Sequence, residues 1–421
     1  MFKQVLIFIF FICGFINAQY SLDYYLEQGS KNSPSLSEFQ NLKDINTIQA
    51  DLNYAENSSF NVFLSADYLF APYFNNNGKL ISANPDPKAY GYDVGITNGG
   101  LYSAQLNVEK NIFNSGLIEA LQSQNIIQTR QYSYSYTLEK HNLKKQITDQ
   151  YLTAYRSLQR FYLSREIVSN LSAQLKIASD MVEQGFFTAQ NYLLLKIEFE
   201  NEKVNLNETM QTYKSDLTQL NTLCGINDTA TIFLDSIALN PSTPKYSSDF
   251  LKKYELDSLA LYNQQAVFET KYLPQLKLFF NTGLNAVELN GIERKFGISA
   301  GLSFSLPIFD GGQKSLTRQQ NEISQKTIRN YREFFSINLE LLLSNSQSKI
   351  KSLNQNINYL STQLAEYQKL MDISAQDLHN GNISMIEYLT LLKNFVDMKK
   401  NAIDKQLDYQ MEINNYNYWN W

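Results

Sequence analysis

The sequence predicts a mainly helical chain that carries four amphipathic β-strands belonging to a membrane barrel wall. Three observations point there. The stretch Phe296–Gly312 reads FGISAGLSFSLPIFDGG, in which Phe296, Ile298, Ala300, Leu302, Phe304 and Leu306 alternate with Gly297, Ser299, Gly301, Ser303 and Ser305. Side chains of a strand point alternately to opposite faces, so one face is apolar and the other small and polar. That pairing suits a barrel wall around water better than a soluble core. Long helical patterns free of proline form the second observation. The third is that strands and helices recur at one fixed spacing.

Composition narrows the function classes. The chain has 421 residues, a net charge of −5 and no basic run, which excludes a charge-driven nucleic-acid binder. Only 8 prolines occur, which favours long uninterrupted elements. Residues 1–18 read as a secretory signal peptide: Lys3, the apolar run Val5–Phe15, then Ala18 before Gln19. Cys13 follows Phe10-Phe11-Ile12 rather than the small residue a lipidation site needs. Removal of the leader leaves Cys224 as the one cysteine, with no intrachain disulfide, and as a small apolar residue near a helix end. No later stretch reaches the roughly 18–20 consecutive apolar residues of a spanning helix. An exported chain of this kind is either soluble or crosses its membrane as a barrel.

In order, residues 19–57 form a polar N-terminal segment and helix, with Pro34 near a helix start and Leu36, Phe39, Leu42, Ile45 and Ile48 at helical spacing. Residues 58–110 form the first β-hairpin. Ser59–Phe70 alternates with Phe63 and Leu69 as exceptions, Leu101–Lys110 alternates again with Tyr102, Ala104, Leu106 and Val108 against Ser103, Gln105, Asn107 and Glu109, and a loop rich in Asn, Gly and Pro joins them. Residues 111–225 form the first coiled helical hairpin, unbroken to Gly185, with Leu171, Leu175, Ala178 and Val182 spaced as a coiled-coil seam. A connector and short helix occupy 226–271. The second β-hairpin spans 272–306. The second coiled hairpin and C-terminal tail cover 307–421, break at Gly381 and carry a seam of Leu389, Leu392, Val396 and Ile403.

The halves match at one offset. Asn111-Ile112-Phe113-Asn114-Ser115-Gly116 aligns with Pro307-Ile308-Phe309-Asp310-Gly311-Gly312, and Gly185 aligns with Gly381, both at a shift of 196 residues. Asn191-Tyr192-Leu193 then falls on Glu387-Tyr388-Leu389. Two separate motifs sharing one offset indicate a duplication. From joint glycine to turn glycine each half runs 69 residues, a helix of roughly 100 Å. Such helices need lateral partners, which the return helices and the shorter helices near 34–57 and 249–271 supply. Four strands cannot close a barrel, since small closed barrels start at about eight, so the protomer must oligomerise.

On the leader, the duplicated hairpin-plus-coil unit, the Pro307–Gly312 joint and the turn glycines Gly185 and Gly381, the chain resembles the TolC-like outer-membrane efflux proteins over nearly its whole mature length. The resemblance implies a homotrimer in which four strands per protomer build a twelve-stranded barrel in outer-membrane lipid, continuing into a helical tunnel across the periplasm of a Gram-negative cell. It implies a passive exit duct of a tripartite efflux or type I secretion system, with a periplasmic adaptor and an inner-membrane transporter as partners and gating at the coil tips. Cofactors and catalysis are not implied. Counting from Gly381, Glu387 falls on the first position of the family's acidic pore ring and Thr390 on the second, with Asn191 as the first-repeat counterpart. Ile383 and Leu378 stand where the family's latch carries an arginine and a tyrosine, so a resting gate held by those links does not carry over. The adaptor-docking tip maps to Gly185, Phe186, Phe187, Gly381, Asn382 and Ile383, with packing between the coils as the other reading of Phe186 and Phe187. The barrel-to-tunnel joint maps to Pro307, Asp310, Gly311 and Gly312, with Asn111 and Gly116 in the first repeat, which lacks the proline and one glycine.

Competing signals are weaker. Gly297–Gly301 matches G-x-S-x-G, but that motif needs a strand-to-helix elbow at the serine, and Ser299 sits in mid-strand. His141 and His379 lie in different coils and form no metal cluster. Asp67, Glu109 and Lys277 read as solvated charges of the polar strand face, and the tail Tyr416, Tyr418, Trp419 and Trp421 as packing. The alternative function is an envelope-spanning anchor without transport, which predicts a filled lumen; the Ser, Gly and Asn side chains of the polar face argue against filling.

Overall fold

The computed structural model describes residues 21–82, 85–92 and 100–421; the expected leader, with Cys13, and part of the loop after the first strand lie outside the described residues. The elements in order are α1 (Leu22–Asn32), α2 (Pro34–Ser58), β1 (Asn61–Phe70), β2 (Gly100–Asn111), α3 (Ser115–Glu183), α4 (Ala189–Leu223), α5 (Lys252–Glu269), β3 (Gln275–Ala286), β4 (Phe296–Ser305), α6 (Gln313–His379) and α7 (Met385–Trp419). No described helix is long and apolar enough to cross a membrane. The chain divides into a strand-bearing unit, Phe39–Tyr134 with Lys252–Glu333, and a helical unit, residues 21–38 with Ser135–Leu251 and Phe334–Trp421.

In the strand-bearing unit one antiparallel sheet runs β1-β2-β3-β4. The register aligns like with like across all four strands. Val62, Val108, Phe280 and Ala300 form one row, and Leu64, Leu106, Thr282 and Ile298 another. Lys110 ends this apolar face with its ammonium 4.7 Å over the Phe60 ring. Rows of the opposite face read Asn61, Glu109, Phe279, Gly301 and then Phe63, Asn107, Asn281, Ser299. Phe63 and Leu69 break the polar alternation as expected. Phe279 is a further exception, and its ring lies where a side chain at Gly301 would sit. A glycine opposite an aromatic lets the ring cover the exposed backbone. Asn107 Nδ2 donates to Ser65 Oγ at 2.8 Å, Lys277 pairs with Glu109 at 2.6 Å and Ser103 donates to Asp67. The charged groups on this face are therefore tied together rather than merely solvated.

Amide side chains hold the helices of this unit side by side. Asn46 Nδ2 donates to the Asn125 carbonyl and to Thr129 Oγ1, both at 2.8 Å, linking α2 to α3. Asn263 Nδ2 donates to the Ala120 carbonyl at 3.1 Å, linking α5 to α3. Ser258 and Gln325 exchange bonds of 2.6 and 2.9 Å between α5 and α6. Each such bond contributes about 1 kcal/mol net, and far more is lost if one buried partner is removed. On α5 and α6, Glu269 takes a fork of two 2.7 Å bonds from Arg318. Those bonds, with Gln265 and the nearby charges of Arg318 and Lys314, bring its carboxyl down to about 2. A depressed carboxylate stabilises the fold above its unfolded pKa and loses that contribution as pH falls through the folded value. The stability gap between the native chain and Arg318→Ala is therefore expected to be constant above about pH 5 and to close toward pH 2, in urea titrations across that range. A gap that persists unchanged at pH 2 contradicts the assignment.

The helical unit has two apolar clusters. One gathers Tyr25, Ile147, Tyr151, Leu158, Tyr213, Leu220 and Cys224 from α1, α3, α4 and the residue after α4. Two of the buried phenols bond to backbone: Tyr151 donates to the Asp235 carbonyl at 2.9 Å and Tyr213 to that of Ile232. This anchors the connector after α4. The second cluster gathers Leu163, Leu171, Ala178, Leu195, Tyr388, Phe395 and Val396, so both seams read in the sequence meet in one core. Cys224 is fully buried, and burial pushes its thiol up to about 12. At pH 8 only about one thiol in ten thousand is then ionised. With Cys13 replaced by serine, Ellman's reagent is expected to report no thiol until denaturant is added; a prompt native signal contradicts this burial.

The last helix runs to Trp419, past the end near 415 expected from the sequence, because its aromatic tail packs inside the same unit. His141 stacks against Tyr418 at 4.9 Å and Trp421 at 4.5 Å, and the Asp249 N–H donates to the Trp421 carbonyl at 2.9 Å. Further along, α3 and α7 are joined antiparallel by Arg156–Asp408 at 2.8 Å, Arg160–Asp404 at 2.7 Å and Glu166–Lys399 at 2.8 Å.

Candidate functional site

The two turns at the ends of α3 and α6 are built alike. Gly185 has φ 77° and Gly381 φ 75°, the left-handed conformation that glycine adopts without penalty. At the first, Gly185 N–H donates to the Val182 carbonyl at 3.1 Å and Phe186 N–H to that of Met181 at 2.9 Å. At the second, Gly381 N–H donates to the Leu378 carbonyl at 3.1 Å and Asn382 N–H to that of Asp377 at 2.8 Å. Both are Schellman caps, which satisfy the last carbonyls of a helix. Three residues on, Thr188 and Ser384 cap the return helices by accepting from the N–H groups of Asn191 and Glu387, each at 3.2 Å. Phe187 and Ile383, at matching positions, both pack into the second apolar cluster. The neighbouring position points to solvent: Phe186 is 73 % exposed, and its counterpart Asn382 is exposed too.

Glu387 does more than decorate a helix surface. Its Oε2 accepts from the Ser384 N–H at 2.8 Å, completing a capping box. The backbone N–H and hydroxyl of Ser384 hold its carboxyl below the usual carboxylate range. The spacing Ser384-Met385-Ile386-Glu387 carries this box in the sequence itself. Glu387 and Thr390 are exposed on α7, where Thr390 Oγ1 donates to the Ile386 carbonyl at 2.8 Å. Asn191, half-buried, lacks a carboxylate and makes only the backbone half of the box.

The two joints differ in their fastening. Asp310 Oδ1 accepts from Gly312 N–H and Oδ2 from Lys314 N–H, both at 2.8 Å, while Tyr272 donates its hydroxyl to Oδ2 at 2.6 Å. The Tyr272 bond, with the two backbone donors, keeps the Asp310 carboxyl below its ordinary value. Gly311 and Gly312 are both left-handed, at φ 67° and 86°. In the first repeat Asn114 stands in for Asp310 and donates Nδ2 to the Asn57 carbonyl, and α3 begins at Ser115 with no left-handed residue between. Asn111 is the last residue of β2 and pairs with Lys277, whereas its counterpart Pro307 lies beyond β4. Ile308 and Phe309 are 95 % and 89 % exposed.

No family pattern matches the chain, and no curated protein matches it in sequence. Solved structures do match. A Pseudomonas aeruginosa membrane protein superposes with a TM-score of 0.72 at 14% identity, covering 95% of this chain and 93% of that one. The Campylobacter jejuni CmeC outer membrane channel gives 0.71 at 14%, covering 95% and 85%. The Vibrio cholerae outer membrane protein VceC gives 0.70 at 14%, covering 95% and 96%. The chain has the TolC-like fold. Within that fold, Gly185–Phe187 and Gly381–Ile383 occupy the two helix turns, and Pro307–Gly312 occupies the passage from β4 to α6. Ser299 lies on the polar face of β4, far in sequence from His379 at the end of α6. Among the described residues no group of His, Cys, Asp or Glu is placed to hold a metal ion.

Proposed function

We propose that the chain is the outer-membrane exit duct of a tripartite efflux or type I secretion system. It sits in the outer membrane of a Gram-negative cell and extends into the periplasm. The two-faced sheet carries this reading: exposed apolar rows on one side, rows rich in Ser, Gly and Asn on the other. The first face meets lipid and the second lines water. Both margins of the strand-bearing unit are unfinished. Among the described residues β1 pairs only with β2 and β4 only with β3, and α2 and α6 expose Ile45, Ile48 and Leu52, and Leu316 and Ile323. Copies of the same chain complete them, and three copies bring the wall to twelve strands, within the size range of membrane barrels. Transport is passive, driven by an inner-membrane transporter reached through a periplasmic adaptor. The turns carrying Phe186 and Asn382 meet that adaptor, and three Glu387 carboxylates form a ring at the mouth.

Trimer closure is tested by cysteine pairs, one in β1 and one in β4, in chains lacking Cys13 and Cys224. Oxidation is expected to yield covalent dimers and trimers and nothing larger. Ladders beyond three chains, or no cross-links from any pair, count against the assembly. Glu387→Gln keeps a capping-box residue while removing charge, and is expected to lower cation preference in reversal-potential measurements without loosening the turn. Unchanged selectivity removes the ring from the account.

A further inference from the structure

We propose that the loop after β1 holds a lipopolysaccharide of the outer leaflet by its acylated, phosphorylated sugar end. The inference rests on the outer-membrane reading. Helices adjoin the start of β1 and the end of β2, so the loop between these strands stands at the opposite end of the wall, the end that faces out of the cell. The apolar face does not stop where β1 stops. From Phe70 to Phe74 the chain runs on without a turn and keeps its alternation, with Ala71 and Tyr73 buried and Phe70 and Phe74 exposed. Phe74 thus extends the lipid-facing side of β1 beyond the stacked rings of Tyr68 and Tyr102, whose centroids lie 5.0 Å apart. Aromatic girdles of this kind mark the edge of the hydrocarbon in membrane barrels.

Above that edge the loop is tied by its own groups. Phe74 and Tyr90 exchange two backbone bonds, of 2.7 and 3.1 Å, as an antiparallel bridge. Residues opposed in such a pair project to the same side, which sets the two rings next to each other at 61 % and 72 % exposure. The lysines lie beyond the bridge. Asn75 Nδ2 donates to the Lys88 carbonyl at 3.1 Å, and the Lys79 N–H donates to the Asn76 carbonyl at 2.9 Å, so both are anchored beside the rings. The Asp86 carboxylate takes the Lys88 N–H at 2.8 Å. Among the described residues of the loop, Lys79 and Lys88 stand against Asp86 alone, a local positive excess in a chain of net charge −5. The order outward is therefore apolar side chains, aromatic rings, then ammonium groups. Acyl chains lie on the first, the C–H bonds of sugar rings on the electron-rich faces of the second, and phosphates at the third. A phospholipid has no sugar ring for the middle layer.

The test uses the full-length protein in detergent and fluorescently labelled lipid A, an acylated disaccharide that carries phosphates. Saturable binding at one site per chain is expected, with phosphatidylglycerol competing about tenfold less well than unlabelled lipid A. Lys79→Gln combined with Lys88→Gln is expected to weaken binding about thirtyfold, while dephosphorylated lipid A binds this variant and the native chain alike. Phe74→Ser combined with Tyr90→Ser is expected to weaken both forms of lipid A about fivefold. All four side chains are exposed, and circular dichroism and oligomer mass establish that the variants fold. Absence of saturable binding to the native chain overturns the proposal, as does equal affinity in all three proteins. Equal competition by phosphatidylglycerol, or no effect of the ring substitutions, overturns the sugar assignment. Conductance of the same preparation in planar bilayers is read alongside: channels that conduct without binding lipid A overturn this proposal and leave the exit-duct reading standing.

Discussion

Gly283→Ala is expected to destabilise the sheet by about 3 kcal/mol or more, among the largest effects of any single methyl in this chain. Gly283 sits in β3 opposite Gln105 on one side and Gly297 on the other. Its φ is +150°, outside the range that side chains accept. A Cβ there would lie 2.2 Å from the Ala104 carbonyl oxygen and 2.7 Å from Gln105 Cα. Both neighbours are backbone of β2, so relief requires the β2–β3 pairing to part. That pairing joins the first hairpin to the second. The expected result is a sharp fall in folded protein recovered from outer membranes and a lower urea midpoint for what remains. Gly297→Ala, next to it in the row and with open space around its Cβ position, serves as the control. Equal recovery of both variants would show that the two hairpins do not depend on this close approach.

The second large effect separates the faces of the wall. Ile298 is 70 % exposed on the row of Leu64, Leu106 and Thr282, and Ser299 is its neighbour on the row of Asn281 and Asn107. Ile298→Lys is expected to cost about 2–4 kcal/mol when the chain folds into lipid, because the ammonium must leave water for hydrocarbon. Ser299→Lys is expected to fall within about 0.5 kcal/mol, as exposed substitutions usually do. Folding into lipid vesicles under a urea gradient measures both. Equal costs, or the reverse order, would mean that the apolar rows do not face lipid.

Much of this architecture was legible in the sequence, for physical reasons that differ by element. The strands declared themselves because a two-faced wall forces strict alternation, and Phe296–Leu306 has it without exception. The turns declared themselves because a Schellman cap needs glycine, and Gly185 and Gly381 occur at one offset. What periodicity could not show was where polar side chains go. Asn46, Asn263 and Gln325 look like solvated helix residues, yet they are the ties between helices, since an amide turned to a neighbour and one turned to water leave the same sequence pattern. Glu387 was read for its charge, although Ser384 three residues before it announced a capping box. Phe279 was missed on the polar face because the glycine that makes room for it, Gly301, lies on another strand. The first-repeat joint lacks the proline and one of the glycines of the second. The fastenings differ as well, with Asp310 bonded to Tyr272 in one and Asn114 bonded to Asn57 in the other.

Single-channel recording in planar lipid bilayers tests the central claim most directly. The purified full-length protein, inserted as a trimer, is expected to give discrete conductance steps, with cation preference reduced in Glu387→Gln. Trimers that insert correctly and stay electrically silent at every voltage and salt concentration, including after replacement of the turn residues Phe186 and Asn382, would contradict the exit-duct account.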